Sequence, residues 1–318
     1  KNNKICYAAC TKIPECSVKY FRINDYEENE ARKMILASAS LPLIYDSTEV
    51  LGDKYIDGGM VDNTPIQPVY DEGCDIIIVV LLSKEVTIDR SLYPEAKLII
   101  ISPERLVENT INGTLNLDTE AKRTRINEGY NDTMKAYGKY RGFRYTFLLN
   151  DEESFNDVAL ALKKGIEKVD HEMNLQKYKR IRNILNSKNL LDYIAKYTDN
   201  KELSPYEYLL RAEEICAELF TQNPQEIYDF ISLKDQLMSH FNNPRKVDYE
   251  KIFNNLSSIM SIMELYEYIK QISNEEIIAS ILYKLLDGQD IVSEMAKIAI
   301  IAPEAVISGL YLFEIAAL

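Results

Sequence analysis

The spacing of apolar residues divides the chain into two kinds of pattern. In the first half, short apolar stretches alternate with turn-forming residues. Ile5 to Ala9 and Val18 to Ile23 predict two strands joined by a turn at Pro14. Asn29 to Ser40 predicts a helix whose Ala37-Ser38-Ala39-Ser40 end permits close packing and which Pro42 stops. Asp75 to Leu82 is an unbroken apolar run rich in β-branched residues, which predicts a strand buried on both faces, as in a parallel sheet. Lys97 to Ser102 predicts a second such strand, ended by Pro103. Leu117 to Tyr140 predicts a helix with Glu120, Arg123, Asn127 and Tyr130 at helical spacing and Gly129 as its weak point.

From about Asp151 the period is helical alone. Phe155, Val158, Leu162, Ile166, Val169 and Met173 define one helix face. Ser204-Pro205-Tyr206-Glu207 is a capping box with proline at the first helical position, opening a helix to about Gln222. Asn223-Pro224-Gln225-Glu226 predicts a similar start for a helix ending near Phe241. A long helix is predicted from Asp248 or Tyr249 to Ile272, and another from Asn274 to Leu286, ended by Asp287-Gly288. Ile298 to Leu318 is the closest approach to a membrane span, but Pro303, Glu304 and Glu314 are costly at bilayer depth and predict a buried or amphipathic helix instead. The expected organisation is an α/β part over residues 1–150 and an all-helical part over 151–318, with the change near 148–153. The chain starts at Lys1, and its last helix runs to the final residue without a cap, so it reads as a piece of a longer polypeptide.

Charge narrows the function classes. Residues 1–150 carry 19 basic and 22 acidic side chains, residues 151–318 carry 18 and 28, so the net charge of −13 resides mainly in the helical half. Phosphate backbones and anionic headgroups repel such a surface, which excludes nucleic-acid binding and a polybasic membrane anchor. The acidic pairs Glu213-Glu214 and Glu275-Glu276 are expected on solvated faces or in first turns, facing the helix dipole. Cys6, Cys10, Cys16, Cys74 and Cys216 form no CxxC pair and lie far from the two histidines, so neither a metal site nor a cofactor is expected. Free thiols point to a reducing, cytoplasmic compartment. Tyr193, Tyr197, Tyr206, Tyr208, Tyr266 and Tyr268 are expected on half-buried helix surfaces.

The candidate chemistry lies at Tyr55-Ile56-Asp57-Gly58-Gly59-Met60-Val61-Asp62-Asn63-Thr64-Pro65. An acid at the end of an apolar run, followed by two glycines that permit positive φ, is a carboxylate mounted on a sharp turn. Taken alone, Asp-Gly-Gly reads first as an ordinary tight turn between two short strands, because Asp-Gly is a generic turn signal. A second turn at Asn63-Thr64-Pro65 fixes the carboxylate further, as a general base requires if it is to lie about 2.6–3.2 Å from the proton it removes. Ser38 and Ser40 are expected to pack and cap a helix end. His171 and His240, both in the helical half, are expected at a surface or cap rather than in a triad.

The flanks give the motif its meaning. A small-residue helix end, Leu41-Pro42, an extended approach, Asp57-Gly58-Gly59, Asp62-Asn63-x-Pro65 and Gly73-Cys74-Asp75 entering an apolar strand occur in an order and spacing that resemble the second catalytic block of patatin-like lipid acyl hydrolases. The resemblance continues through Ile101-Ser102-Pro103 and Glu128-Gly129-Tyr130, covering roughly residues 1–145. It implies a three-layer α/β/α sandwich with a mainly parallel sheet, of which this chain holds the C-terminal part. It implies hydrolysis of acyl esters of lipids by a Ser–Asp dyad, with Asp57 as the base, Gly58, Gly59, Asn63 and Pro65 supporting it, and a substrate at a membrane or micelle surface. Family members carry the nucleophile in a G-x-S-x-G elbow and the oxyanion hole in a Gly-rich loop. Neither occurs in these 318 residues, so the chain by itself is expected to be inactive. Loss of the strands that carry them is expected to expose a sheet edge and an apolar face. The competing expectation is a pseudoenzyme or regulatory module that engages a protein partner, or another copy, through its acidic helical half.

Overall fold

The computed structural model describes residues 4–84, 86–103, 118–198, 202–241, 249–258 and 261–316. The chain divides into two compact units, Lys1–Asn116 and Leu117–Leu318. The division falls ahead of the change in sequence pattern at 148–153, because a helix and a hairpin between 119 and 148 group with the helical unit.

The first unit is mixed α/β. Strands β1 (Tyr7–Ile13) and β2 (Ser17–Arg22) form the predicted hairpin, followed by helix α1 (Glu28–Ser38), β3 (Thr48–Val50) and β4 (Asp53–Asp57). They make a four-stranded sheet of order β2-β1-β4-β3, antiparallel at every pairing. Helix α1 buries Met34 and Ala37 against Cys10, Phe21, Val50 and Tyr55. Helix α2 (Gln67–Asp71) then leads to β5 (Ile76–Val80), which pairs in parallel with β6 (Lys97–Ile101), Ile76 opposite Lys97 and Val80 opposite Ile101. The parallel pairing agrees with the sequence pattern; the larger sheet is antiparallel instead. Burial of β5 on both faces is also not what forms. Ile77 and Val79 pack with Leu98 and with Ile66 beside α2, whereas Ile76, Ile78 and Val80 point outward and are exposed. Among the described residues, α2 and the 86–100 segment cover one face and nothing covers the other.

The second unit starts with α3 (Thr119–Ala136), a hairpin of β7 (Tyr140–Arg141) and β8 (Thr146–Leu148), and α4 (Asn156–Met173), which buries Leu162, Ile166, Val169 and Met173 as its spacing predicts. Helices α5 (Gln176–Leu185), α6 (Leu190–Ile194) and α7 (Pro205–Leu219) follow, the last opened by the expected capping box at Ser204 and Glu207. Tyr206 and Tyr208 on α7 are buried, not half-buried. The helix expected from Asn223 does not form there. Asn223 Oδ1 accepts the Gln225 N–H at 3.1 Å in a turn, β9 (Ile227–Tyr228) pairs with β8, and α8 (Phe230–Ser239) begins only where Asp229 caps it. The long helix expected from 248 or 249 to 272 is two, α9 (Tyr249–Ser258) and α10 (Ile262–Lys270). Extended Ser261 starts the second by accepting the Glu264 N–H. Helices α11 (Asn274–Leu286), α12 (Val292–Ala299) and α13 (Pro303–Ile315) complete the unit. Helix α13 is buried from Ala305 to Leu312 and packs against α4, α7, α11 and α12. It is the core helix that the apolar C-terminal segment predicts. No helix among the described residues is long and apolar enough to cross a membrane.

The two acidic pairs part company. Glu275 and Glu276 lie in the first turn of α11, where Glu276 closes a capping box with Ser273. Glu213 and Glu214, expected to be solvated, are fully buried on α7. Helical position alone does not reveal that α7 is covered on all sides. Glu214 Oε1 accepts the N–H groups of Phe143 (2.6 Å) and Tyr145 (3.0 Å), pinning the β7–β8 hairpin, while Oε2 pairs with buried Arg211 at 2.6 Å. Gly142 bends the hairpin at φ +96°, and a Cβ there would lie 2.6 Å from the Tyr145 carbonyl oxygen. Glu213 has no such partner. No backbone donor or arginine reaches its oxygens among the described residues; the Tyr311 hydroxyl of α13 is the group placed to favour its charged form. Burial pushes the Glu213 carboxyl well above the usual carboxylate range, with Glu214 and Asp229 reinforcing the shift and Tyr311 and Lys234 opposing it.

Two expectations follow for the helical unit. Glu214→Ala removes the 2.6 Å partner of the buried Arg211 guanidinium and is expected to cost about 3–5 kcal/mol, read from urea unfolding. Glu213 keeps its proton to higher pH in the native state than in the unfolded one, where it ionises above about pH 4.3, so its contribution to stability declines as pH rises from there, by up to about 1.4 kcal/mol per pH unit. Glu213→Gln is therefore expected to match the parent near pH 4 and to exceed it as pH rises above that, in unfolding curves recorded across the pH range.

Candidate active site

Asp57 is the last residue of β4, an interior strand of the four-stranded sheet, where it lies opposite Cys10 of β1. Its N–H donates to the Ser40 carbonyl at 3.0 Å, tying the strand end to the exit of α1. Small residues at that exit make the approach possible: Ala37 is fully buried, and Ser40, also buried, donates its hydroxyl to the Leu36 carbonyl at 2.8 Å and shares a hydrogen bond with Thr48 Oγ1 at 3.0 Å. Ser40 thus caps and packs, and Ser38 is the last residue of α1.

After Asp57 the chain makes a single 3₁₀ turn, Gly58–Met60, and Asp57 Oδ1 accepts the Gly59 N–H at 2.8 Å. The segment leads into α2, so the carboxylate stands on a strand-to-helix connection and not on a hairpin. Neither glycine has positive φ, contrary to the expectation from sequence. Their role is clearance. A Cβ on Gly58 would lie 2.6 Å from the Ala9 carbonyl carbon, and one on Gly59 would lie 2.7 Å from Asn63 Oδ1 and 3.1 Å from Asp57 Oδ1. Thr11 Oγ1 also donates to the Gly58 carbonyl, at 3.4 Å.

The second turn is held by residues the motif does not reveal. Asp62 N–H donates to the Gly58 carbonyl at 2.9 Å, and Asp62 Oδ1 accepts the Thr64 N–H at 3.0 Å. Its other oxygen accepts the hydroxyl of Tyr20 on β2. Burial, and secondarily that bond, push the Tyr20 hydroxyl above its ordinary pKa. Tyr20 lies 42 positions from Asp62 in sequence, so no local pattern announces the pair. Asn63 and Pro65 are exposed. Pro65, Asn63 and Thr64 border a groove of about 310 Å³ whose other wall is the β5 segment with Ile76, Ile78 and Val80.

The arrangement offers a half-exposed carboxylate with one oxygen fixed by a backbone N–H. No group among the described residues hydrogen-bonds the other oxygen, which leaves it available to a proton donor. Cys10, across the strand pair, is no nucleophile: burial, with the Asp57 charge adding, pushes its thiol up to about 12. His171 is exposed on α4, and His240, just past α8, stacks on Phe220 with ring centroids 4.5 Å apart. All five cysteines are unpaired, and no cluster of His, Cys, Asp or Glu among the described residues could hold a metal ion.

Residues 6–70 match the family model described as Patatin-like phospholipase. The match runs from β1 to α2 and includes Asp57, Gly58, Gly59, Asn63 and Pro65, so this segment is similar to patatin-like phospholipases over a shorter stretch than the 1–145 traced by motif. Patatin-like domains belong to a superfamily of lipid hydrolases. No curated protein and no solved structure matches the chain.

Clearance at the two glycines ranks their substitutions. Gly58→Ala meets backbone of β1 and is expected to cost at least about 1–3 kcal/mol. Gly59→Ala meets chiefly the movable Asn63 side chain and is expected to cost less. Thermal unfolding of both variants checks the order.

Proposed function

We propose that this chain is part of a patatin-like lipid acyl hydrolase that works through a Ser–Asp dyad, with Asp57 as the general base. The mounting of Asp57 inside the matched segment carries this reading. Its backbone is bonded to the end of α1, one carboxylate oxygen is fixed by Gly59, and the other is left to accept a proton. In the reaction that oxygen takes the serine proton as the hydroxyl attacks the ester carbonyl, and returns it to the leaving alcohol. Gly58, Gly59, Asn63 and Pro65 support the carboxylate, and no metal or cofactor takes part.

In this reading residues 1–150 are the C-terminal part of a three-layer α/β/α catalytic domain, and residues 151–318 are a helical extension of it. The outward apolar row Ile76, Ile78 and Val80 supports a further layer over β5. The substrate is an acyl ester at a membrane or micelle surface. Five free thiols support a reducing, cytoplasmic setting with peripheral membrane contact. A second reading, a pseudoenzyme or regulatory module that engages a protein partner, is favoured by one observation: the 318 residues contain no G-x-S-x-G segment.

A polypeptide that supplies a serine elbow to this chain is expected to hydrolyse a short p-nitrophenyl ester. In it, Asp57→Asn is expected to lower kcat by about 10³-fold or more with KM within a few-fold. Undiminished kcat removes Asp57 from the role of base. A natural polypeptide that lacks any serine elbow and any esterase activity favours the regulatory reading.

A further inference from the structure

We propose that the loop Leu41-Pro42-Leu43-Ile44-Tyr45 is an interfacial anchor that seats the candidate active site on a zwitterionic lipid surface. The loop leaves Ser40, whose carbonyl accepts the Asp57 N–H, so anchor and carboxylate are separated by one hydrogen bond and one residue. It is held in shape by its own backbone. The Ile44 and Tyr45 N–H groups both donate to the Leu41 carbonyl, at 3.2 and 3.0 Å. On this frame Leu43 is completely exposed (105%), with Ile44 at 48% and Tyr45 at 64%. Leu43 also sits at φ +74°, a left-handed conformation that disfavours any residue with a Cβ and suits glycine. A leucine there strains the backbone and gains no burial among the described residues. Retained strain without compensating packing marks a functional tip. Across the motif, Met60 (57%) and Val61 (47%) are exposed as well, so apolar side chains flank Asp57 along the chain on both sides.

Chemistry selects the occupant. From Leu41 to Tyr45 there is no charge, and the side chains run from a branched apolar tip to a tyrosine, the residue suited to the boundary between hydrocarbon and headgroups. Acidic Asp46 follows directly and the loop carries no basic residue to meet an anionic headgroup, which disfavours anionic lipid and leaves a zwitterionic surface as the complementary one. The inference rests on the lipid-hydrolase reading for its choice of partner, but binding needs no turnover, so the two can fail separately.

The chain contains no tryptophan, so Tyr45→Trp introduces a single reporter at the loop. With phosphatidylcholine vesicles its emission is expected to shift to the blue, and with soluble phosphocholine to stay unchanged. Leu43→Asp is expected to reduce co-sedimentation with the same vesicles by about tenfold. Leu43→Gly is expected to raise the melting temperature by relieving the strain while weakening vesicle binding. Asp57→Asn is expected to bind vesicles like the parent, which separates anchoring from catalysis. The proposal is overturned if the indole emission of the Tyr45→Trp variant ignores the vesicles or if Leu43→Asp sediments with them undiminished. Stronger binding to phosphatidylserine than to phosphatidylcholine vesicles also overturns it. So does a vesicle-free dimer that Leu43→Asp dissolves, since a second copy is then the occupant.

Discussion

The passage of the Gly58 backbone across Ala9 is the constraint on which the candidate site depends. An interior strand of an antiparallel sheet has neighbours on both edges, and its end can turn sharply only if the first residue of the turn has no side chain to strike the adjoining strand. Once Gly58 lies against β1, the rest is determined locally. Asp57 stays in register with Cys10, its N–H reaches the end of α1, and its carboxylate closes on Gly59. Clearance, rather than conformational freedom, explains the paired glycines.

The helical unit solves a different problem with the same economy. Its central helices are so well covered that Arg211, Glu213 and Glu214 on α7 have no solvent to face. Glu214 is made tolerable by two backbone donors and an arginine, and in return it fixes a hairpin that apolar contacts alone would leave free to slide. Glu213, one position along the same helix, finds no such partners, and burial pushes its carboxyl well above the usual range. Adjacent acids of identical type therefore meet different surroundings because of what lies opposite each.

How much was legible from sequence follows from the range of the forces involved. Patterns of period 3.6 locate α4, and a capping box marks the start of α7, because those signals lie within one or two turns. The composite around Asp57 is legible because turn chemistry and helix ends are also local, and the family match falls on it. What escaped was set by distant partners. Tyr20 holding Asp62, the burial of Glu213 and Glu214, and the exposed face of β5 depend on which elements pack together. The splitting of the 249–270 helix and the late start of α8 arose where a serine or an aspartate competed for backbone N–H groups within a sequence otherwise compatible with helix.

The thiol of Cys10 adds a consequence of a different kind. Oxidants attack the thiolate, and this one is both hidden beneath α1 and held protonated, whereas Cys6 and Cys16 are exposed. Sulfenic or sulfinic acid formation is thereby directed to the periphery. The strand pair beneath Asp57 is insulated from peroxide even though a sulfur atom lies directly across from the carboxylate.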